Sequence, residues 1–270
     1  MKTTAATKKQ SKNIQEKEQI SNDKLPDSGN REGHESSETG EVVEIKEFKG
    51  KTFTVELTAG AILGALSVLF GITWDAYVES LIGGPAFAPG MTWFDVVAVP
   101  MLVAFFVFGI RSGLIAAIIG CGAILFYPSE AYGWVAMIAK FCASATMFVV
   151  PWLILKLNKR AKENNTKFLP VFKYSSETFK PVANYWVLMG FAIIARLIVM
   201  FLVNTLVILP IYIWLLSGKG TFQTVFTNPI EFLSFGGGYT IWNVVQGIAD
   251  AVIAYLIVYP TKLNERFATW

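Results

Sequence analysis

Six long apolar segments constrain the fold of this chain more than any other feature of its sequence. They span about residues 57–74, 93–109, 112–127, 134–156, 185–216 and 239–259. A bilayer core about 30 Å thick needs about 20 helical residues, so the fourth and sixth segments fit well and the second and third are slightly short. Lipid-exposed backbone must satisfy its own polar groups, and these segments lack the alternation typical of barrel strands. The sequence therefore predicts an all-α integral membrane protein with six transmembrane helices.

The start of the chain has a different composition. Residues 1–51 carry ten Lys/Arg and ten Asp/Glu with no aromatic side chain before Phe48, so they cannot bury enough apolar surface to offset the entropy of ordering. We expect residues 1–52 to be a disordered tail, residues 53–262 a membrane domain and residues 263–270 a C-terminal tail. The first span is predicted to be the insertion signal, because the tail has no signal-peptide pattern.

Basic residues predict the orientation in the membrane. The connection after the fourth segment carries seven Lys/Arg, from Lys156 to Lys180, whereas the connections on the opposite side carry only Lys219. Cytoplasmic connections are the ones enriched in Lys and Arg. Both termini are therefore predicted to be cytoplasmic, and Arg111, between the second and third spans, falls on the same side.

Two charged residues lie near the middle of predicted spans. Counting 1.5 Å per residue, Arg196 is about 16 Å from the inner end of the fifth span and Asp250 about 15 Å from the inner end of the sixth. A charge at this depth is costly, and it is usually paired or functional. We expect a structural ion pair between the two helices, with direct contact to a ligand as the alternative.

Polar side chains around these charges predict a cavity in the outer half of the membrane. Asn243 and Gln246 share the helical face of the sixth-span aspartate, and this face must look into the protein because an unpaired amide in lipid costs about 1–3 kcal/mol or more. Asn204 and Tyr212 share a face of the fifth span. Lys140 lies about 9 Å below the outer end of the fourth span, where it needs an acidic or substrate partner. Interhelical hydrogen bonds are the alternative role for each amide.

The outer connection from Trp74 to Trp93 is rich in aromatic residues, Gly and Pro. This composition is typical of a segment that turns back on itself and rests at the membrane interface. One prediction for this segment is a lid over the predicted cavity. A simple interfacial aromatic belt is the alternative.

A strip of small residues runs along one side of the first span. Gly60 and Gly64 are four residues apart, and so are Ala61 and Ala65. Small residues allow helices in lipid to approach closely. The strip therefore predicts a contact with a helix, either of a partner protein or of the same chain.

Motifs for catalysis, metal binding and nucleotide binding are missing. The sequence has no HExxH, GxSxG, GxxxxGK[ST] or CxxC, so metal chemistry, serine hydrolysis and ATP binding have no candidate site. We expect no metal, no cofactor and no enzymatic activity. An intramembrane enzyme that uses Asp75, Glu79 or Asp95 as acid or base is a further alternative.

The ordered set of these passages resembles the substrate-binding S components of energy-coupling factor (ECF) vitamin transporters. The resemblance covers about residues 57–262, and its last two passages most resemble the riboflavin-binding branch, with Gln246 in place of a Lys of that branch. Beside the small strip of the first span, it rests on WFDVVAVPMLVAFFVFGIRSGLIAAIIG (Trp93–Gly120), YGWVAMIAKF (Tyr132–Phe141), NTLVILPIY (Asn204–Tyr212) and WNVVQG (Trp242–Gly247).

This resemblance implies a multi-pass protein of a prokaryotic cell membrane that binds a vitamin-sized molecule outside, with riboflavin as the first candidate. It implies two ATPase subunits that use ATP and a transmembrane coupling protein onto which the small strip docks; no nucleic acid is expected. The alternative is a stand-alone proton-coupled transporter with Asp250 and Arg196 as its relay. The residues expected to hold the vitamin are Trp74, Tyr77, Trp93, Lys140, Asn204, Tyr212, Asn243 and Gln246.

Overall fold

A computed structural model of the chain describes residues 53–74, 96–126, 133–164, 172–208, 210–211 and 229–270. These residues form helices and connections without a strand, which confirms the predicted all-α fold class. The main helices are α1 (Phe53–Thr73), α2 (Ala98–Phe108), α3 (Ile110–Gly122), α4 (Gly133–Glu163), α5 (Val182–Val203), α6 (Pro229–Val258) and the short α7 (Leu263–Phe267). Two 3₁₀ turns, Ala123–Phe126 and Ser176–Phe179, and a π-helical turn, Asn204–Ile208, complete the described elements.

Four of the described helices are long and apolar enough to cross a membrane. They are Phe53–Thr73, Gly133–Glu163, Val182–Ile208 and Thr240–Val258, which correspond to the first, fourth, fifth and sixth predicted spans. α2 and α3 have only 11 and 13 residues. The structure thus supports a membrane protein with four candidate spans, and the topology of six spans with both ends inside stays a prediction. The predicted tail of residues 1–52 lies outside the described residues.

α2 is the central helix of the described bundle. Every residue from Ala98 to Val107 is buried, and α1, α3 and α6 all pack against it. A helix that is apolar on all sides is stable when protein surrounds it on all sides. Protein therefore surrounds the described part of α2, and its role as a second span stays a prediction.

α1 packs against α3 through its small residues. A Cβ atom added to Gly60 would lie 2.9 Å from the backbone oxygen of Ser112, and one added to Gly64 would lie 2.8 Å from Cβ of Ile119. Large apolar side chains of α1 point outward, as at Ile62, which is 63% exposed. This pattern, small side chains inside and large ones outside, is expected for helices packed within lipid.

Several segments predicted to be cytoplasmic meet at one end of the bundle. Gly109, between α2 and α3, has a φ of 93°, which favours glycine, and the indole ring of Trp270 lies 3.3 Å from where its Cβ would be. The amide of Thr269 donates to the carbonyl of Val107 at 3.2 Å, and the amide of Ser176 donates to the carbonyl of Trp270 at 3.2 Å. The chain end is therefore held against both connections.

A buried tyrosine ties α5 to α6 and sets their register. The hydroxyl of Tyr185 donates to the carbonyl oxygen of Ala251 at 2.6 Å. Arg196 follows Tyr185 by about three helical turns, so both side chains lie on the face of α5 that meets α6. This contact helps to position Arg196 beside the residue that precedes Ala251, Asp250.

Candidate functional site

Arg196 of α5 and Asp250 of α6 form a buried ion pair. Nη1 of Arg196 donates to Oδ2 of Asp250 at 3.3 Å, and the two side chains are only 3% and 5% exposed. Both residues lie near the middle of candidate spans, Val182–Ile208 and Thr240–Val258. The structure therefore brings together the two residues whose pairing the sequence predicted.

The inward face of α6 continues this pair. Asn243 and Gln246 are 3% and 7% exposed, as their spacing from Asp250 requires. Nη2 of Arg196 lies 3.5 Å from Oδ1 of Asn243, at the limit of a hydrogen bond. A Cβ on Gly247 would lie 3.3 Å from Cδ and Nη1 of Arg196, so the absence of a side chain there lets the arginine lie across the α6 backbone.

Lys140 of α4 adds a second positive charge to the cluster. Its side chain is half-buried, and it is near enough to interact electrostatically with the Asp250 carboxylate. Among the described residues of the cluster, two cations therefore face one carboxylate. Lys140 thus adds a positive charge near the Arg196–Asp250 pair, at a depth where charge is costly.

Four buried polar atoms of the same three-helix region lack a hydrogen-bond partner among the described residues. They are Nε of Arg196, Nδ2 of Asn204, Oγ1 of Thr205 and Oγ of Ser144. Ser144 lies one turn after Lys140 on α4, and the π-helical turn that holds Asn204 and Thr205 packs against both α4 and α6. The large majority of buried side-chain polar atoms in proteins are paired, so four unpaired ones on neighbouring helices require an explanation.

Sequence reasoning missed two of these residues, Ser144 and Thr205. The signal for Ser144 was present, because it follows Lys140 by four positions and therefore shares its helical face. Thr205 follows Asn204 directly, and only the π-helical turn brings both of these neighbours into the interior. Such turns are frequent at functional sites, and Pro210, which has no N–H to donate, lies just beyond this one.

The predicted aromatic cover of the site falls largely outside the described residues. Tyr77, Trp93 and Tyr212 lie outside them, and so do the candidate acids of the enzyme alternative. Trp74 is described at the end of α1, where it is half-buried. The role of the outer connection therefore stays a prediction.

The four residues of the small strip do not share one environment. Gly60 and Gly64 are buried against α3 of the same chain, which is the internal alternative. Ala61 is half-buried and Ala65 is exposed. The glycines are thus used in packing within the chain, and docking onto a partner stays a prediction for the alanines.

No group of three or more His, Cys, Asp or Glu residues that could hold a metal ion occurs within the described part of the chain. Comparisons of the chain with protein families, with curated proteins and with solved structures found no match.

Proposed function

We propose that this chain is a substrate-binding S component of an ECF-type importer. In this role it captures a vitamin-sized molecule from outside the cell and delivers it inward together with a transmembrane coupling protein and two ATPase subunits. The observation that carries the proposal is the set of buried donors without a partner among the described residues, in the three-helix region that also holds the Arg196–Asp250 pair. A ligand that offers acceptors to these donors would remove their cost, which is about 1–3 kcal/mol for each group.

Riboflavin is the first candidate ligand. Capture at nanomolar concentration requires about 12 kcal/mol, whereas each amide hydrogen bond contributes only about 1 kcal/mol. Burial of a flat aromatic ring must therefore supply much of the affinity, and Trp74 with Tyr77 and Trp93 is the proposed enclosure. The amides select among flat molecules, because a ligand without matching groups leaves them unpaired in a dry site.

Titration of the purified protein with riboflavin tests this proposal. We expect quenching of flavin fluorescence at micromolar protein, because Trp and Tyr side chains stacked on an excited flavin ring quench it by electron transfer. Mass spectrometry of small molecules retained after gentle detergent purification identifies the ligand independently. If flavin is neither quenched nor retained, riboflavin is the wrong ligand; if no small molecule is retained and no vitamin binds, the proposed capture function is wrong.

Asn204→Ala should weaken ligand binding about tenfold, or about 1.4 kcal/mol. Nδ2 of Asn204 has no partner among the described residues, so its removal should leave the unliganded protein as stable as before or more stable. Isothermal titration measures the affinity and thermal unfolding measures the stability. Asn264→Ala is the matched control, because Asn264 is equally buried on α7 at the far end of the bundle.

Asn243→Ala and Gln246→Ala should also weaken binding about tenfold or more each. Asn243 contacts Arg196, so its loss should in addition lower the stability of the unliganded protein. Unchanged affinity in all three alanine variants, with unchanged affinity in the Asn264→Ala control, would exclude this cluster as the ligand site.

A stand-alone proton-coupled transporter is the second candidate function. The observation that favours it is the Arg196–Asp250 pair itself, which lies near the middle of two candidate spans with Lys140 close to the carboxylate. Uptake by the protein alone into ATP-free vesicles, driven by a pH gradient, would establish this function. Uptake that requires a co-purifying ATPase pair would instead support the S component.

A further inference from the structure

A second polar site lies at the opposite end of α4 from Lys140. It is a cavity of about 550 Å³, within the range of cavities that hold small molecules. Lys156, at this cavity, follows Lys140 by about 24 Å along the helix axis, so the two sites are separate. Four of the side chains that line the cavity are basic, Arg111, Lys156, Lys159 and Arg160, and two are acidic, Glu56 and Glu163.

Aromatic rings hold two of the lysines in place. Nζ of Lys156 lies 4.4 Å from the ring centre of Trp152, and Nζ of Lys159 lies 5.6 Å from the ring centre of Tyr174. The indole N–H of Trp152 donates to the hydroxyl of Tyr174 at 3.1 Å, which joins the two rings. Cation–π contacts of this kind keep an ammonium group in position without neutralising its charge.

Most of the positive charge at this cavity has no acidic partner among the described residues. Glu56 faces Arg111 at 3.6 Å, whereas Lys156, Lys159 and Arg160 form no ion pair with any described residue. The result is a group of cations, two of them held by aromatic rings, that can donate to an anion. A phosphate group is the natural partner, because it accepts several charge-assisted hydrogen bonds at once.

We propose that this cavity binds the phosphate-bearing head group of an anionic phospholipid. Exposed apolar side chains of α4 lie next to residues that line the cavity. Leu153 follows Trp152 and is 44% exposed, and Leu157 follows Lys156 and is 43% exposed. This arrangement gives the lipid acyl chains an apolar helix face directly beside the basic cavity. A free phosphate ion would make no use of that face.

The aromatic residues that line the cavity are typical of the membrane interface. Trp and Tyr side chains are enriched at the level of lipid head groups, and Trp152, Tyr174 and Trp270 all line the cavity. The indole nitrogen of Trp270 is buried and has no partner among the described residues, so it is a further donor beside the cavity. On the predicted orientation this end faces the cytoplasm, where the leaflet surface is negatively charged and basic pockets bind such lipids.

Lipid titrations of the full chain in detergent test this proposal. Phosphatidylglycerol should raise the unfolding temperature and remain bound in native mass spectrometry, whereas phosphatidylcholine should bind at least tenfold more weakly. Inorganic phosphate at the same concentration should have no effect. An equal effect of phosphatidylcholine would show that the cavity does not select anionic lipid, and an equal effect of inorganic phosphate would show that its ligand is a free ion.

Lys156→Gln with Lys159→Gln should weaken phosphatidylglycerol binding at least tenfold. Lys162→Gln with Arg266→Gln is the matched control, because it removes the same charge from the same end of the bundle at exposed residues that do not line the cavity. Arg160→Gln is a second test variant; its exposed side chain contributes little to folding, and it should weaken binding severalfold. If the control weakens binding as much as the cavity variants do, the lipid responds to overall charge and the cavity is not its site.

Discussion

Asp250→Leu should destabilise the unliganded protein more than any other single substitution in the polar cluster. Removing one partner of a buried ion pair costs about 3–5 kcal/mol, because the remaining charge is left without compensation. Here the cost should lie near the upper end of that range, since both Arg196 and Lys140 would lose the carboxylate of Asp250. A loss of this size is a large share of the stability of most proteins.

Arg196→Met should cost less than Asp250→Leu. After this substitution the carboxylate of Asp250 keeps the nearby charge of Lys140. The double variant should lose less stability than the two single losses added together, because residues in contact are energetically coupled. Adding Lys140→Met to the Asp250→Leu variant should restore part of the lost stability, since it removes the remaining repulsion.

Thermal unfolding of the purified variants in detergent measures these effects. Leu197→Ala is the control on the same helix, because Leu197 adjoins Arg196 in sequence and its side chain is 41% exposed. Additive losses for Arg196→Met and Asp250→Leu would show that the pair does not act as a unit. Equal losses for the two single variants would show that Lys140 does not compensate the carboxylate.

The pairing of Arg196 with Asp250 could be predicted because the lipid environment leaves few alternatives. A charged side chain near the middle of an apolar helix needs an oppositely charged partner on a neighbouring helix. The helical spacing then fixes which amide side chains share the face of that charged residue. The inward position of Asn243 and Gln246 follows from the same argument. Local periodicity was sufficient for these residues.

Other features could not be predicted, because they depend on how distant segments pack. Apolarity alone does not distinguish a helix that faces lipid from one that protein surrounds, so the central, buried position of α2 could not be predicted. The basic cavity joins Arg111, Lys156 and Trp270, which lie far apart in sequence and meet only in the folded chain. The small strip showed that a close contact exists but not which helix makes it.

Gly64→Leu should disrupt the contact between α1 and α3. A Cβ atom at Gly64 would lie 2.8 Å from Cβ of Ile119 and 3.2 Å from Cα of Ala116, so the backbones must separate before the rest of a leucine side chain can fit. Overpacking of this kind costs about 1–3 kcal/mol and occasionally more, and close approach is the main source of helix association in lipid. We expect a lower unfolding temperature and a lower yield of folded protein.

Ala61→Leu with Ala65→Leu should have the opposite combination of effects. Ala61 is half-buried and Ala65 is exposed, so the added methylenes project largely from the bundle and the unfolding temperature should change little. If this side of α1 docks onto a coupling protein, the larger side chains should keep the two helices apart, and both co-purification of the partner and transport should be lost. The glycine variant thus tests packing within the chain, and the alanine pair tests docking. Transport at the original rate in the alanine pair would exclude the docking role, whereas an unchanged unfolding temperature in Gly64→Leu would exclude the tight contact between α1 and α3.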